Sequence, residues 1–326
     1  MACHYPLRVW HSKEVNKTGR RPLVFRIEEA LETDKDFQIG CGRCSGCRLE
    51  RSRQWAMRIT NEAQMHGENC FITLTFDDVH LDKRRPVDIN GNRLSNWSIW
   101  PREFQLFMKR LRKRYPGKKI RYFHCGEYGD HPEVNQHLGR PHYHAIIFNH
   151  NFADKIEFGS TGEHKYYISR ELRELWPFGN NIIGEVAFDS AAYVARYAMK
   201  KRNGPATEGW YTRTLGVNPA TAEIFSEPLH PEYVTMSKKP GIGAAWFKKY
   251  QETDLYNKDY VMINGKKCRA PKFYDRLLEE TDPEKYELIK EKRSEEMENL
   301  EELDINRLMV LEESQEVKLN RKRRAM

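Results

Sequence analysis

The sequence predicts an α+β protein: a central antiparallel sheet, helices packed on one of its faces, and a helical extension at the C-terminus. Two apolar runs, residues 119–126 and 142–149, are joined by a polar loop from Asp130 to Arg140, which is typical of a hairpin of antiparallel strands. Helical patterns lie between these and other strand-like runs. Near the end, "TDPEKYELIKEKRSEEMENLEEL" is highly charged and predicts a solvated helix.

The elements follow in chain order from the hydrophobic period and from the residues that stop each element. Gly67 ends the first helix, and Pro116 with Gly117 ends the second. Asp189 or Ser190 is expected to cap the helix that carries "AAYVARYAMKK". The predicted helices span residues 48–66, 101–115, 168–175 and 189–203, and the predicted strands span residues 70–76, 119–126, 142–149 and 182–188.

The composition favours a polyanion as the partner. At 326 residues the chain can form one sizeable core and a smaller lobe, and 55 Lys and Arg against 47 Asp and Glu give a formal charge of +8. The basic excess is concentrated in residues 100–122 and 196–202. No apolar run has membrane-spanning length and the N-terminus lacks a signal-peptide core, so we expect a cytoplasmic protein without membrane contact, whose cysteines are thiols or metal ligands.

The stretch "GRPHYHAIIFN" places His142 and His144 one residue apart at the start of an apolar run. Side chains in a strand alternate between faces, so both imidazoles point the same way and can form half of a metal site. Glu127, near the end of the preceding strand, comes beside them if the two strands pair antiparallel. Two imidazoles and one carboxylate suit a catalytic ion. The alternative is a hydrogen-bonded histidine pair on a half-buried strand.

Three other histidines compete with Glu127 for the place of third ligand. His131 and His137 lie in the hairpin loop, where we expect them to be solvated. His124 is expected on the opposite face from Glu127, because the two positions differ by an odd number within one strand. Glu127 is therefore the preferred third ligand.

Tyr193 and Tyr197 lie one turn apart on the predicted helix 189–203. At about 100° per residue, Ala191, Val194 and Ala195 form one apolar stripe, and both tyrosines fall on the other side. A packing tyrosine belongs on the stripe, so a chemical role is expected for these two. A tyrosine hydroxyl, with a pKa near ~10, becomes a nucleophile towards phosphorus when a cation stabilises the developing charge. Metal, tyrosine and basic surface together predict phosphodiester transesterification.

Three motifs stand in the order in which they occur in the HUH endonucleases, and the chain resembles that family. The motifs are "FITLTF", then "GEYG" with "GRPHYHAIIF", then "YVARYAMKK". The chain resembles in particular the rolling-circle replication initiators of microviruses, the gokushovirus-like single-stranded DNA phages. The segments "CGRCSGCRLERSRQWAMR" and "MSKKPGIGAAW" are also similar to that branch. The resemblance covers most of residues 1–250.

The resemblance implies an antiparallel sheet of about five strands with the histidine motif on a central strand. It also implies Mg²⁺ or Mn²⁺ bound by His142, His144 and a third residue, for which Glu127 is the positional match. The sequence departs from the family pattern at Tyr143, which is bulkier than the aliphatic residue often found between the histidines. Tyr143 is expected to point away from the metal face.

The resemblance also implies roles on the tyrosine helix. Tyr197 with Lys201 fits the family's Tyr-x-x-x-Lys form, and Tyr193 with Tyr197 fits its two-tyrosine form, in which one residue nicks while the other holds DNA. The implied function is a replication initiator that nicks single-stranded or origin DNA, forms a 5′-phosphotyrosyl link with a free 3′-OH, and rejoins the strand. The sequence has no G-x-x-x-x-G-K-[ST] loop, so we expect a host helicase and DNA polymerase as partners in the bacterial cytoplasm.

These features divide the chain into four expected segments. They are an N-terminal segment with a cysteine-rich knuckle and a helix (1–66), an HUH nuclease core (67–203), a basic loop-rich extension (204–250) and a charged helical C-terminal region (251–326).

Cys41, Cys44 and Cys47 form a C-x₂-C-x₂-C triplet in a glycine-containing turn, and the N-terminus supplies Cys3 and His4. Thiolates at this spacing suit tetrahedral Zn²⁺, with Cys3 as the fourth ligand that clamps the N-terminus to the triplet. The same triplet opens the bacterial iron–sulfur motif, but the next cysteine of that motif is missing. Structural zinc is the preferred interpretation, and an iron–sulfur cluster or metal-free thiols are the alternatives.

Two rival functions explain part of the sequence. A basic single-stranded DNA-binding protein without catalysis accounts for the charge and for the 12% aromatic content. That function leaves the histidine pair and the tyrosine helix unexplained. An HUH transposase or relaxase would use the same chemistry on a different genetic element.

Overall fold

The computed structural model of the chain describes residues 3–17, 19, 21–82, 91, 97–129, 139–162, 164–197, 209–218, 220–263, 265–298 and 304–324. The chain forms two compact units. The first consists of Met1–Arg51 with Asp282–Met326, and the second of Ser52–Thr281. The four segments expected from the sequence remain a prediction.

The elements are numbered along the chain. The strands are β1 (Leu7–His11), β2 (Leu23–Val24), β3 (Phe37–Ile39), β4 (Asn69–Leu74), β5 (Arg121–Tyr128), β6 (Pro141–Phe148), β7 (Ile156–Thr161), β8 (His164–Ile168), β9 (Asn181–Gly184), β10 (Thr212–Val217), β11 (Ile224–Pro228), β12 (Tyr233–Met236), β13 (Val261–Ile263) and β14 (Lys266–Cys268). The α-helices are α1 (Ser45–Gln64), α2 (Asp78–Asp82), α3 (Pro101–Arg114), α4 (Arg170–Leu175), α5 (Phe188–Tyr197), α6 (Ala244–Tyr250), α7 (Lys272–Thr281), α8 (Pro283–Glu298) and α9 (Ile305–Arg324).

The first unit contains a small antiparallel sheet in the order β2-β1-β3. Trp10, Val24 and Ala30 form an apolar cluster there. An ion pair joins Arg8 Nε to Asp36 Oδ2 at 2.9 Å. The first turns of α1 and the C-terminal helices α8 and α9 belong to the same unit.

The second unit is built on an antiparallel sheet in the order β12-β5-β6-β4-β9-β8-β7. The predicted α+β class is confirmed, and the histidine strand β6 lies inside the sheet between β5 and β4. In the described part of the chain this sheet has seven strands, where about five were expected. The β7–β8 hairpin extends one side, and β12 pairs with β5 at the other edge.

Helices cover both faces of this sheet, not the single face expected. On one face α3 and α4 bury Phe104, Phe107 and Leu172 against the strands. On the other face α1 and α5 bury Ala56 and Val194. The inner strands β5 and β6 bury side chains on both sides, so a one-sided helical layer would leave apolar surface exposed.

The predicted helices 48–66 and 101–115 correspond to α1 and α3. Pro101 starts α3, because its fixed φ suits a first helical turn where the missing N–H is not needed. After α3 ends at Arg114, Gly117 takes a φ of +84°, which glycine adopts without strain.

Helix α5 begins at Phe188, so the expected caps Asp189 and Ser190 lie inside its first turn. The hydroxyl of Ser190 is 2.8 Å from the backbone N of Ala187 and 3.0 Å from the carbonyl oxygen of Glu185. The serine therefore binds the backbone that precedes the helix, which lets the helix begin earlier than the capping pattern predicts.

The segment 204–250, expected to be loop-rich, contains strands β10, β11 and β12 and helix α6 in its described part. The C-terminal extension is helical as expected, in the form of α7, α8 and α9. Asp282 caps α8, since its Oδ1 accepts a hydrogen bond from the backbone N–H of Lys285 at 3.1 Å. Among the described residues, no helix combines the length and the apolar character needed to cross a membrane.

Candidate metal centre and tyrosine helix

The pairing of β5 with β6 brings one acid and two histidines together on one face of the sheet. Glu127 is the cross-strand partner of His142, and His144 follows two residues later on the same face. Glu127 Oε1 lies 2.6 Å from His142 Nε2 and 3.0 Å from His144 Nε2. Glu127 and His144 are buried, while His142 is partly exposed. These three residues are called the metal group below.

The second nitrogen of each imidazole is held by a neighbour. His142 Nδ1 lies 3.1 Å from the carbonyl oxygen of Arg140, which can only accept, so Nδ1 carries a proton and Nε2 faces Glu127. His144 Nδ1 lies 2.9 Å from the hydroxyl of Thr73, its cross-strand partner on β4. Partners of this kind fix the ring orientation of metal-bound histidines.

The charge state of Glu127 suits a cation site. Burial raises the pKa of its carboxyl, but hydrogen bonds from His142 and His144, with their positive charge, outweigh burial and lower the pKa to about 2. The carboxylate is therefore ionised at neutral pH. Two imidazole nitrogens and one carboxylate oxygen within 4.8 Å of one another are a donor set that could hold a divalent metal ion.

Helix α5 presents Tyr193 to the metal group. The stripe of Ala191, Val194 and Ala195 is buried, as the helical period predicts, and Tyr193 is only partly buried. The ring of Tyr193 stands edge-on to that of His144, with centroids 5.3 Å apart and an interplanar angle of 83°. The tyrosine expected from the sequence is therefore next to a candidate metal ligand.

Tyr197 is the last residue of α5, one turn beyond Tyr193. The side chain of Tyr197 and all of Lys201 lie outside the residues that the structure describes. Their expected roles as second tyrosine and basic partner remain predictions.

The competing histidines do not join the metal group in the described part of the chain. His124 is on the opposite face, as expected, where its ring stacks on Phe104 with centroids 3.5 Å apart. Its Nδ1 is 3.0 Å from the hydroxyl of Thr235 on β12. His131 and His137 lie outside the described residues.

Tyr143, between the two histidines, points away from the metal group. Its side chain is fully buried in the core on the α3 side of the sheet. The hydroxyl hydrogen-bonds with the backbone of Trp100 and with the carboxylate of Glu103. The bulk of this residue is therefore accommodated away from the histidines.

A second donor cluster lies in the first unit. The Sγ atoms of Cys3, Cys41, Cys44 and Cys47 all lie within 4.8 Å of one another. His4, the other N-terminal candidate, is buried and directs its backbone N–H at Cys44 Sγ, 3.4 Å away. These four cysteines are called the cysteine knuckle below.

Sequence reasoning missed Thr73 and Arg140, which orient the histidines. Thr73 stands in "FITLTF" and Arg140 in "GRPHYH", two stretches that served only to recognise motifs. Alternation places Thr73 beside His144 once β4 is known to pair with β6 in the observed register. The sequence alone does not contain that register.

The comparisons with known proteins agree with the site. Residues 69–202 match the family model described as Replication-associated protein ORF2, and this span runs from the first residue of β4 past the end of α5. The chain is 33% identical over 281 residues to Replication-associated protein VP4 of Bdellovibrio phage phiMH2K, a match that covers 83% of this chain and 76% of the relative. The chain belongs to the replication-associated protein family.

Two further relatives carry the same description. Replication-associated protein ORF2 of Spiroplasma virus 4 is 30% identical over 308 residues, which cover 90% of this chain and 86% of that one. Replication-associated protein ORF4 of Chlamydia phage 1 is 30% identical over 250 residues, covering 74% and 54%. The resemblance to microvirus-type replication initiators is therefore confirmed. No solved structure matches the chain.

Proposed function

We propose that this replication-associated protein is an initiator that nicks DNA by metal-assisted tyrosine attack, holds the cut strand covalently and later rejoins it. The proposal depends chiefly on one observation: the ring of Tyr193 stands 5.3 Å from that of His144 in the metal group. Relatives named as replication-associated proteins of phages support the role in replication.

In the proposed reaction a tyrosine hydroxyl on α5 attacks the phosphorus of a DNA phosphodiester. The new O–P bond forms a 5′-phosphotyrosyl link while the P–O3′ bond breaks. The tyrosine loses one proton and the departing 3′ oxygen gains one. The free 3′-OH can prime synthesis, and attack of a 3′-OH on the phosphotyrosyl link reverses the step and closes the strand.

The residues of the site have separate parts in this reaction. The metal group would hold Mg²⁺ or Mn²⁺, which supplies charge stabilisation at the phosphate when bound. Thr73 and the Arg140 carbonyl keep the two imidazoles oriented. The guanidinium carbon of Arg196 lies 5.9 Å from the centre of the Tyr193 ring, and its charge favours a phenolate and the approach of a phosphate.

Two tyrosines at i and i+4 would allow two successive transesterifications. While one holds the 5′ end, the other is free to attack at the completed circle. Tyr193 and Tyr197 lie one turn apart on α5, so both project from neighbouring positions of the same helix. In this scheme Lys201 assists the second tyrosine by its positive charge.

The proposed substrate is single-stranded DNA or the exposed strand of an origin. The formal charge of +8 and the exposed basic side chains at the end of α3 favour phosphate contacts. Because the sequence has no helicase ATP-binding loop, strand separation and synthesis are assigned to a host helicase and DNA polymerase. The proposed place of action is the cytoplasm of the bacterial host.

The rival functions account for less. A non-catalytic single-stranded DNA-binding protein would leave the metal group and its held imidazoles without a task. A transposase or relaxase would use the same residues, but the relatives reported above are named for replication.

The proposal predicts that His142→Ala and His144→Ala abolish nicking and leave DNA binding intact. The substrate is a single-stranded circle carrying the genome that encodes the chain, incubated with Mn²⁺. Loss of a ligand should lower the nicking rate more than about 100-fold, beyond the ~10–100-fold effect of removing an outer-sphere partner. Affinity should stay within about threefold, because Lys and Arg contacts to phosphate supply it.

The matched control for this test is His164→Ala, which changes an exposed histidine on β8. This variant should nick at the wild-type rate. Nicking at the wild-type rate by His142→Ala, His144→Ala or the metal-stripped protein would rule out the metal-assisted mechanism.

A further inference from the structure

The cysteine knuckle has chemistry of its own that the proposed nicking reaction does not use. Its Sγ atoms all lie within 4.8 Å of one another, and those of Cys3 and Cys44 are 3.8 Å apart. A tetrahedral zinc ion with Zn–S bonds of about 2.3 Å has sulfur–sulfur edges of about 3.8 Å. One pair of sulfurs is therefore at the spacing that a single zinc ion requires, and the others are within about an ångström of it.

Backbone N–H groups converge on these sulfurs. The N–H groups of His4 and Cys47 both lie 3.4 Å from Cys44 Sγ, and the N–H of Cys41 lies 3.2 Å from Cys3 Sγ. Such donors stabilise negative charge on sulfur. Cys47 also lies in the first turn of α1, where the helix dipole favours a thiolate. The surroundings therefore suit the thiolate form, which is the form that binds zinc.

Two glycines shape the turn around the sulfurs. A side chain at Gly40 would bring its Cβ to 3.1 Å from Cys47 Sγ, which is tighter than an ordinary contact. Gly42, between the first two cysteines of the triplet, has a φ of +74°, a conformation that other residues rarely adopt. The backbone thus folds closely around the sulfur cluster.

The distances argue against the other fates of clustered cysteines. The 3.8 Å between Cys3 and Cys44 is far beyond a disulfide bond of about 2.05 Å, and all four residues are free cysteines. In an iron–sulfur cluster the cysteines bind different iron atoms, so their sulfurs stand farther apart than the ligands of one ion. A site for a single ion fits the observed spacing better.

We propose that the cysteine knuckle binds one zinc ion in a closed tetrahedral site that holds the first unit together. The ion would cross-link Cys3, which precedes β1, to the triplet between β3 and α1, 38 residues further on for Cys41. In its described residues this unit has a three-stranded sheet and a small apolar cluster. Units with so little core depend on a metal or disulfide for stability.

Helix α9 meets the knuckle through one carboxylate, that of Glu312. Its Oε1 accepts a hydrogen bond from the hydroxyl of Ser45 at 3.3 Å, and the hydroxyl of Tyr5 also bonds to it. Tyr5 lies two residues after Cys3, and Ser45 directly follows Cys44. Because an ion in the knuckle fixes both donors, zinc binding also orders α9 in this unit.

Metal analysis of the full-length protein, purified without added metal, tests the site. We expect about one zinc ion per chain, no iron and no acid-labile sulfide. A mercurial reagent should release the zinc as four thiols react. Cobalt exchanged into the wild-type protein should show the charge-transfer and visible bands of a tetrahedral tetrathiolate, a readout that needs no variant to fold. Folded protein without zinc, or with iron and sulfide, would overturn the proposal.

Matched variants locate the ion. Cys44→Ser should lower the zinc content at least about tenfold, because a closed site depends on all four ligands. Cys268→Ser, at a cysteine on β14 outside the cluster, should keep the zinc. His142→Ala should also keep it, so loss of nicking and loss of zinc are separate outcomes. Full zinc in Cys44→Ser would place the ion elsewhere and defeat the assignment.

Hydrogen exchange tests the link to α9. Removing zinc from the wild-type protein should speed amide exchange in α9, and Glu312→Gln should do the same while zinc stays bound. Glu313→Gln, at the exposed neighbouring position, is the matched control and should exchange like the wild type. Unchanged exchange in α9 after zinc removal would refute the ordering of this helix by the knuckle.

Discussion

Glu127 is a buried carboxylate, and its ionised state depends on the two imidazoles that contact it. Burying an unpaired charge is costly, so a carboxylate at 1% exposure needs close partners. The same atoms that satisfy Glu127, the Nε2 atoms of His142 and His144, are metal donors. The metal group is therefore held in place without an ion and has the atoms needed to accept one.

The hydroxyl of Thr73 is predicted to position His144 for metal binding. Thr73→Val keeps the shape of the side chain but removes the contact to His144 Nδ1, so the affinity for Mn²⁺ should fall about 10–100-fold. Thr73→Ser keeps the hydroxyl and should bind Mn²⁺ as the wild type does. Titration calorimetry measures both affinities without a nicking assay. Equal affinities for the Val and Ser variants would show that this contact does not position the ligand.

At the scale of the element, the base of the β5–β6 hairpin is closely packed. A Cβ added at Gly139 would lie 2.3 Å from the carbonyl oxygen of Gly129, and the N–H of Gly129 bonds the Arg140 carbonyl at 3.0 Å. That same carbonyl accepts from His142 Nδ1. The packing of two glycines is thus connected to the orientation of a metal ligand.

Gly139→Ala is predicted to lower the free energy of unfolding by about 1–3 kcal/mol, as overpacking does, and to weaken Mn²⁺ binding. Gly159→Ala on β7 is the matched control, because no atom lies within 4 Å of an added Cβ there. The control should stay within about 0.5 kcal/mol of wild type. Urea unfolding and Mn²⁺ titration provide the two readouts. A Gly139→Ala protein as stable as the control would contradict the packing account.

The sequence predicts those elements whose signals are local. Alternation along β6 places His142 and His144 on one face, and the helical period separates Tyr193 from the buried stripe of α5. The hairpin connection gives the pairing of Glu127 with His142, because the two strands are close in the chain. These features require only short-range reasoning.

Long-range pairing is what the sequence does not reveal. Strand β12 joins the sheet beside β5, so that Thr235 bonds His124 across 111 positions of chain. The pairing of β4 with β6, which gives Thr73 its role, spans 71 positions. Nothing in a four-residue apolar run such as β12 specifies a distant partner, because many registers bury it equally well. The helices on the second face were missed for the same reason.

At the scale of the whole molecule, two compact units carry two separate donor clusters. The metal group and the tyrosine helix belong to Ser52–Thr281, and the cysteine knuckle belongs to Met1–Arg51 with Asp282–Met326. Imidazole and carboxylate donors suit a catalytic divalent ion, whereas four thiolates suit a structural zinc ion. The two clusters therefore call for different ions with different tasks, and each can be removed without the other.

Circle closure shows whether the two tyrosines act as a pair. The second transesterification needs a free hydroxyl while the other tyrosine is esterified, so Tyr193→Phe and Tyr197→Phe should each fail to close a circle. Tyr166→Phe, at a partly exposed tyrosine on β8, is the matched control and should close circles normally. Full closure by Tyr193→Phe would show that Tyr197 acts alone.

Mapping the covalent protein–DNA adduct tests the central claim most directly. Trypsin cuts after Arg196, so Tyr193 and Tyr197 fall in separate peptides, residues 174–196 and 197–200. After incubation with the single-stranded circle and Mn²⁺ and digestion of the DNA, mass spectrometry should find a nucleotide linked to one or both of these peptides. The double Phe protein should give no adduct, because it lacks both hydroxyls. An adduct on any other peptide, or one that persists in the double variant, would contradict tyrosine attack from α5.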